Sequence, residues 1–393
     1  MDLRSRIKEL TEKAFPAIVS IRHSIHQHPE LAYNEYNTSA LIAAKLSSLG
    51  IPFTQGHAGT GILAVIAGSG KTGKTVLIRA DMDALQVIEK TGLHFQSVNY
   101  GIMHACGHDM HTACVLGAAE VISQLNDKFA GKILLLFQPA EEKIPGGAKL
   151  IINEGVFSKN PPDYVLALHV DPELKTGTAG FKAGPYMASV DDIFIRIKGH
   201  GGHAALPHMV TDTITAACEI VLQLKKNIIH PHQPSVFAIG RIDAHGSTNI
   251  IPDEVTLSGT FRALDETWRY DAHRLIATIA QNAGKPYNVT VETEIQTGYP
   301  FLKNDPELTE HSIHLSGQYC GVENIFKINY QMTAEDFAYF SHLFPSLMFR
   351  LGITPDLTNQ PFPLHSSHFT ADDNAIKTGA GLLAFLAINL TDK

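Results

Sequence analysis

The chain has 393 residues, a hydrophobic fraction of 44% and a formal net charge of −8. This length exceeds one ordinary core and predicts two domains. The acidic balance and the absence of Lys/Arg blocks argue against nucleic acid or a membrane as the main partner, because phosphate groups need a concentrated basic surface, and they favour a small soluble substrate.

The first ten residues mix charged and apolar side chains without the apolar core of a signal peptide. No later stretch reaches about eighteen uninterrupted apolar residues, the length of a membrane helix. These features predict a cytoplasmic protein. The four cysteines are too few and too scattered for a disulfide framework, which indicates free thiols or a metal thiolate.

Helical patterns and apolar runs alternate over the first half of the chain. They lie, in chain order, at 3–28, 35–49, 61–67, 76–80, 109–125 and 133–137. Such alternation is typical of an α/β domain whose strands are covered on both faces. We therefore expect a three-layer catalytic domain built on a mixed sheet.

Polar side chains follow three of the predicted strands. Asp81 and Asp83 follow the run at 76–80, Glu141 and Glu142 follow the run at 133–137, and His169 follows the run at 164–168. Sites in open α/β sheets gather at the carboxyl ends of the strands. The sequence therefore predicts a functional site at this edge.

The pattern changes after about residue 185. Strands are predicted at 191–198, 235–243, 254–263 and 288–297, with helical stretches at 209–226 and 266–283 between them. The order β-α-β-β-α-β predicts an inserted ferredoxin-like α+β domain over 185–298. The catalytic domain is then discontinuous, over 1–184 and 299–393, and we expect its last helix, at 372–389, to pack on the main sheet.

Cys106 and His108 form a short Cys-x-His element beside a glycine, a spacing that lets two side chains turn toward one metal ion. The alternatives for Cys106 are an inert buried thiol and a thiol nucleophile. A nucleophile would need a histidine base and an oxyanion hole, and it would leave the paired glutamates without a role. The lone residues His104 and His111 are interpreted as ordinary histidines, either at the surface or hydrogen-bonded in the core.

Glu141 and Glu142 are adjacent at a predicted strand end. Consecutive strand side chains point to opposite faces, so the two carboxylates are not expected to serve as equal ligands of one ion. We expect one to bind metal and the other to hold the water. The alternative is a solvated charged turn, which the Pro/Gly-framed exit from an apolar run disfavours.

Five segments together resemble the di-metal amidohydrolases that include hippurate hydrolase, N-acyl-amino-acid amidohydrolase and the auxin-conjugate hydrolases. They are MHACGHD at 103–109, FQPAEE at 137–142, ALH at 167–169, GHGGHAALPH at 199–208 and LHS at 364–366. The resemblance spans nearly the whole chain, from 22–30 to the last helix. Each segment alone is weak evidence for the family, but the five together are highly specific to it.

The resemblance implies two divalent metal ions per subunit. It makes Cys106 the ligand that bridges them, with His108 and Glu142 on one side and His169 and His365 on the other. Thiolate, imidazole and carboxylate ligands suit Zn, Mn, Co or Ni, and residue types do not choose among these.

The resemblance also divides the remaining carboxylates. Glu141 is implied to be the general base that takes a proton from water and passes it to the leaving amine. Asp83 is implied to orient a ligand or tune the base, and Asp81 is left as support only.

In the inserted domain, His203 resembles a residue that stabilises the developing oxyanion, in related enzymes often across subunits. Asn249 and Arg262 resemble residues that grip substrate. An arginine fork suits a carboxylate, although an exposed, ion-paired Arg262 is an equal alternative. The domain is expected to act as a lid and to join two or more copies, through an exposed sheet edge near 235–243.

Two positions depart from the commoner pattern of the family. The loop from Glu142 to Gly147 is one residue longer than the Glu-Gly-Pro-Gly-Gly form, which affects the shape of the pocket. A second histidine, His368, follows His365 and is an alternative ligand.

The expected function is hydrolysis of N-acyl-L-amino acids, of N-acetyl or N-benzoyl type, to a carboxylate and a free amino acid. A metallo-carboxypeptidase or dipeptidase on the same scaffold is the nearest alternative, because peptide and acyl-amide bonds pose the same chemical problem. Two further alternatives are a metal-bound protein without catalytic activity and a thiol hydrolase. The presence of Glu141 disfavours the first of these.

Overall fold

The computed structural model describes residues 1–358 and 360–392, with Lys71 described by its backbone alone. The α-helices are α1 (Leu3–Gln27), α2 (Tyr36–Ser48), α3 (His108–Ser123), α4 (Gly147–Asn153), α5 (Thr213–Asn227), α6 (Glu266–Gly284), α7 (Pro306–Cys320), α8 (Ala338–Ser341) and α9 (Ala375–Thr391). Within the described residues, no helix combines the length and the apolar character that crossing a membrane requires.

The β-strands of the described residues complete the element list. They are β1 (Phe53–His57), β2 (Gly61–Ala67), β3 (Gly70–Asp81), β4 (Ala130–Gln138), β5 (Tyr164–Lys175), β6 (Ala179–Phe181), β7 (Gly184–Met187), β8 (Asp191–Lys198), β9 (Gly202–His203), β10 (Ser235–Ala244), β11 (Ile250–Ile251), β12 (Glu254–Ala263), β13 (Thr290–Thr297), β14 (Leu302–Asn304), β15 (Ile325–Lys327) and β16 (Ser346–Thr354).

One compact unit comprises Met1–Gly184, Lys303–Asn329 and the described residues from Tyr339 onward. Its eight-stranded sheet has the order β1-β2-β4-β3-β5-β16-β6-β15. The central strands β4, β3, β5 and β16 run parallel, whereas β1 with β2, β2 with β4 and β6 with β16 are antiparallel. The predicted mixed sheet is confirmed.

Both faces of this sheet are buried. Ile133, Leu135 and Phe137 of β4 share one hydrophobic core with residues of α1, α3 and α9. The alternate residues Leu134 and Leu136, which point to the opposite face, are buried as well. Central strands covered on both faces read as continuous apolar runs, and the predicted three-layer arrangement is confirmed.

The second compact unit comprises Pro185–Leu302 and Tyr330–Ala338. Its elements follow the order β8-α5-β10-β12-α6-β13, and its antiparallel sheet has the order β10-β12-β8-β13. This is the ferredoxin-like arrangement predicted for the insertion. Residues 299–302 and 330–338 also fall in this unit, whereas the sequence placed them in the catalytic domain.

The core of the second unit lies between its sheet and its two long helices. The inward residues of β8, Ile193, Ile195 and Ile197, pack with Ile220 of α5 and Ile276 of α6. Helix α5 begins four residues later than the predicted 209, because the Asp212 side chain caps it by accepting a hydrogen bond from the Thr215 backbone NH.

A buried carboxylate anchors α6 to β8. Asp191 accepts a hydrogen bond from Arg269 Nε at 2.9 Å and lies 2.7 Å from His273 Nε2. Burial by itself would raise the pKa of Asp191, but the hydrogen bonds from Arg269 and His273 bring it below its ordinary value. The negative charge of Asp191 therefore stabilises this unit.

Candidate metal centre

Cys106 and His108 lie at the start of α3, on either side of Gly107. Gly107 has φ +82°, and a Cβ built there would lie 2.5 Å from Val170 Cγ2, so this turn requires glycine. His108 Nδ1 donates to the Asp83 carbonyl oxygen at 2.9 Å. That bond orients the ring and leaves His108 Nε2, which is buried and has no hydrogen-bond partner among the described residues.

The Glu141–Glu142 pair lies beyond the end of β4, after Ala140 in the left-handed region at φ +54°. The two oxygens of the buried Asp83 carboxylate accept the Glu141 and Glu142 backbone NH groups, each at 3.0 Å. Buried Glu35 accepts the Ala140 NH at 2.8 Å. Two carboxylates from elsewhere in the chain therefore hold this turn.

Neither glutamate lies in a strand, so the alternation of strand side chains does not apply to them and the expected divergence is wrong in its premise. Carboxylate oxygens of Glu141 and Glu142 and a ring nitrogen of His108 all lie within 4.8 Å of one another. The exposure of the two nevertheless differs: Glu141 is buried, and Glu142 keeps 17% of its side chain exposed.

His169 lies inside β5, which continues to Lys175, so the expectation that it follows a strand end is wrong. Ala167, two residues before His169, is the last β5 residue that pairs with β3. His169 Nδ1 donates to the Val170 carbonyl at 2.8 Å, which directs Nε2 toward the Cys106 sulfur, 3.6 Å away. The end of the β3 pairing, and not the end of the strand, places His169 at the site.

His365 approaches from a loop near the end of the chain. Its backbone has φ +65°, and its NH donates to the Ala105 carbonyl at 2.8 Å, next to Cys106. Its Nε2 lies 3.3 Å from Glu142 Oε1. The second histidine, His368, instead stacks on Phe362 with ring centroids 4.9 Å apart. The geometry thus brings His365 to the cluster.

The pKa values of the three histidines differ. Burial and the Arg350 guanidinium hold the pKa of His169 well below its ordinary value. Burial also lowers the pKa of His108, but the Asp81 carboxylate and Cys106 more than reverse this, so its pKa lies well above the usual range. Hydrogen bonds to Cys106 and Glu142 raise the pKa of His365 to about 10. A proton and a metal cation therefore compete for His108 and His365.

These donors form three overlapping groups. Within each group, the ligand atoms lie within 4.8 Å of one another. The groups are Cys106–His108–His169, Cys106–Glu142–His365 and His108–Glu141–Glu142. A buried nitrogen without a partner, such as His108 Nε2, is costly unless something binds it. Thiolate, imidazole and carboxylate are donors for zinc-type cations, so the residues fit a metal centre.

His111, interpreted from the sequence as an ordinary histidine, is buried and bonded at both ring nitrogens, but its support of the site was not predicted. Its Nδ1 lies 2.6 Å from Asp81 Oδ1, and its Nε2 accepts the Val170 NH at 2.9 Å. Because Val170 O also accepts His169 Nδ1, this chain of bonds fixes the backbone beside His169. The available signal was the spacing of His111 three residues after His108, which puts both on one face of α3.

The remaining predicted residues lie in the second unit. His203 of β9 pairs with Ile250 of β11. The Ala204 NH donates to the carbonyl of Asn249, in the turn before β11, at 3.0 Å, so His203 and Asn249 lie at the same end of this small ribbon. Arg262 lies on β12 and donates from Nη1 to the Met332 carbonyl at 3.2 Å.

Clustered metal donors on a three-layer α/β unit are typical of metal-dependent hydrolases. Residues 77–389 match the model of Peptidase family M20/M25/M40, and the chain belongs to this family.

Individual relatives extend over the whole chain. It is 37% identical, over 100% of both sequences, to thermostable carboxypeptidase 1 of Saccharolobus solfataricus. It is 35% identical to N-acetyl-L-cysteine deacetylase of Bacillus subtilis, over 95% of this chain and 88% of the relative. One similar solved structure is that of the YXEP protein of Bacillus subtilis, described as a dinuclear metal binding peptidase from M20 family. It superposes with a TM-score of 0.83 at 30% identity, over 96% of this chain and 99% of that one.

Proposed function

We propose that this protein is a di-metal amidohydrolase that cleaves N-acyl-L-amino acids to a carboxylate and a free amino acid. The observation that carries the proposal is one cluster of five metal donors, from Cys106 to His365, with the further carboxylate of Glu141 beside it. A purely structural metal site has no use for that carboxylate. Family membership and the relative named as a deacetylase support the same reaction class.

The proposed ligands divide between two ions. His108 Nε2 and Glu142 Oε1 are 4.0 Å apart and would hold one ion, while His169 and His365 would hold the other. Each of the two donor groups that contain Cys106 includes one proposed ligand of each ion, which supports Cys106 as the ligand shared by both. Zn, Mn, Co and Ni all suit these donors.

Bound divalent ions would supply Lewis acidity, which lowers the pKa of water and polarises the amide carbonyl. In the proposed reaction Glu141 takes a proton from the attacking water as its oxygen bonds to the acyl carbon. Glu141 then gives that proton to the nitrogen as the C–N bond breaks. Asp83, through its bonds to both glutamate NH groups, would hold Glu141 in place for the two transfers.

We assign substrate contacts in the second unit to His203, Asn249 and Arg262. His203 Nδ1 accepts the Ala205 NH at 3.1 Å, so the neutral ring carries its proton on Nε2 and can donate to an oxyanion. Arg262 has no carboxylate within ion-pair distance among the described residues, which leaves most of its fork for a substrate carboxylate.

We further propose that copies of the chain associate through the second unit. Strand β10 is an edge of the four-stranded sheet, and its Val236 and Ile242 side chains are exposed. An edge strand with exposed apolar residues is suited to pairing with another copy. The cytoplasmic location stays a prediction from the sequence.

A carboxypeptidase or dipeptidase is the second candidate, and the relative named as a carboxypeptidase favours it. The test is a metal-reconstituted assay that compares N-acetyl and N-benzoyl amino acids with dipeptides, with metal content measured in parallel. We expect the acyl amino acids to be hydrolysed faster and a chelator to abolish activity. Turnover of dipeptides alone would replace the proposed substrate class, and chelator-resistant activity would favour a thiol hydrolase.

A further inference from the structure

A cleft of about 450 Å³ opens beside Glu142 and His365, within the first unit. Its walls come from two segments, 31–34 and 84–87, and include the apolar side chains of Leu31, Leu85 and Val87. Ligand pockets in proteins usually have volumes of about 300–1,000 Å³. The cleft can therefore hold part of a small substrate next to the proposed reaction centre.

The walls of the cleft are fixed by backbone pairing. The Ala84 NH donates to the Glu30 carbonyl at 2.8 Å, and Leu85 and Met103 exchange two hydrogen bonds at 3.0 Å. Ala84 directly follows Asp83, which holds the two glutamates. The cleft and the proposed catalytic turn are therefore built on the same rigid segment.

Lys143 lines this cleft and is the one lysine or arginine among its lining residues. Its Nζ lies 5.8 Å from the centre of the Tyr33 ring, and its carbonyl accepts the Tyr33 hydroxyl at 3.4 Å. No carboxylate of the described residues lies within ion-pair distance of this ammonium group. A cation held over an aromatic ring beside an apolar cleft, without a counter-ion, is suited to pair with an anionic ligand.

We propose that this cleft binds a part of the substrate that has a short apolar stem ending in a carboxylate, and that Lys143 pairs with that carboxylate. This inference rests on the proposed function, because the cleft opens at the proposed reaction centre. The carboxylate has two sources in an N-acyl amino acid: the far end of a dicarboxylic acyl group, or the amino acid itself. We assign it to the acyl group, because Arg262 is the proposed partner of the amino acid.

Three substrates with one amino acid separate these sources: N-glutaryl-L-alanine, N-pentanoyl-L-alanine and N-pentanoyl-L-alaninamide. We expect Lys143→Met to lower kcat/KM for the glutaryl substrate about fivefold, as for a partly exposed ion pair, and to change the other two less than about twofold. A loss for both free acids, but not for the amide, supports the cleft as a carboxylate site and moves the carboxylate to the amino acid. An equal effect on all three, or on none, overturns the proposal.

The matched control is Lys149→Met. Lys149 is exposed, and its Nζ lies 5.8 Å from the centre of the Tyr339 ring, the same distance as in the Lys143 pair, but it does not line the cleft. We expect this variant to treat all three substrates as the unmodified protein does. A selective loss for N-glutaryl-L-alanine in the control would show that the effect is general surface charge, and would contradict the assignment.

A binding measurement separates failure of this inference from failure of the proposed function. The same three compounds are titrated into the Glu141→Gln protein by calorimetry, with and without Lys143→Met. If no amide is hydrolysed by the unmodified protein, the proposed function fails, while Lys143-dependent binding of the glutaryl compound keeps the subsite. If hydrolysis is observed and binding is independent of Lys143, the subsite alone is wrong.

Discussion

Asp83→Asn tests how the glutamate turn is held. The buried Asp83 carboxylate accepts the NH groups of Glu141 and Glu142, each at 3.0 Å. Asparagine keeps one acceptor oxygen and turns the other into an NH₂ group, which faces a backbone NH with no lone pair to offer. The Asp83 carbonyl, which positions His108, is unchanged by this substitution.

A buried NH left without an acceptor costs about 1–3 kcal/mol. If this cost appears as displacement of Glu141 from its position, kcat/KM falls about 5- to 150-fold, at about 1.4 kcal/mol per factor of ten. The assay is steady-state hydrolysis of the best N-acyl amino acid, with metal content and thermal unfolding measured on the same sample. We expect the metal to be retained and kcat to fall more than KM changes.

The control for this experiment is Asp356→Asn. Asp356 is exposed, and its carboxylate accepts the Thr358 NH at 3.0 Å, so the same chemical change is made where water can replace the lost acceptor. We expect this variant to be fully active. Unchanged kcat/KM in Asp83→Asn with full metal content would refute the role given to the carboxylate.

Three further predictions concern His111, the proposed ligand Cys106, and Asp191 of the second unit. His111→Ala should lower kcat more than it changes KM, because the Val170 NH loses its acceptor. His111→Gln offers an acceptor oxygen and should recover part of the lost activity. Equal activity of the two variants would contradict this role of His111. Cys106→Ala should lower the metal content, measured by mass spectrometry. The affinity of the unmodified protein for metal should weaken on acidification, because protons compete for the ligands. Unchanged metal stoichiometry in the variant and unchanged affinity in acid would argue against the proposed metal site. Asp191→Asn should lower the free energy of unfolding by about 3–5 kcal/mol at neutral pH in urea titrations. Because the pKa of Asp191 is depressed in the folded state, this contribution to the free energy of unfolding is present at pH values above the ordinary carboxyl range. It is lost as the pH falls through the pKa of Asp191 in the folded protein, so the unfolding free energies of the two proteins should converge in acid. A difference in unfolding free energy that does not change with pH would contradict this pH dependence.

Much of the fold followed from periodicity in the sequence. The predicted helix at 3–28 is α1 (Leu3–Gln27), and the predicted strands at 191–198 and 254–263 match β8 and β12 residue for residue. These elements were predictable because each has one buried face or stripe, which imposes a regular spacing of apolar residues: every second residue in a strand, every third or fourth in a helix.

Some elements without such a pattern were not placed. Strand β16 (Ser346–Thr354) is buried along almost its whole length, and a short, fully buried run does not distinguish strand from helix. The extension of β5 to Lys175 depends on its pairing with β16, in which Lys175 is the partner of Thr354. Such pairing joins residues far apart in the chain, and a local pattern does not contain it.

The composition of the candidate site was more predictable than its geometry. Short motifs identified Cys106, His108 and the glutamate pair as metal-type residues. Their arrangement depends on distant contacts, such as Glu35 with the Ala140 NH, that no spacing in the sequence reveals. The distinction between His365 and His368 rests on the backbone as well, since the His365 NH is held by the Ala105 carbonyl.

Glu141→Gln gives the most direct test of the account, with hydrolysis and metal content measured on one preparation. Glutamine keeps the size of the side chain and removes its ability to take a proton. We predict that metal content and substrate binding are unchanged, while kcat falls by a factor of about 10²–10⁴, the usual contribution of a general base. Full activity in this variant, with metal bound, would contradict the proposed hydrolytic mechanism.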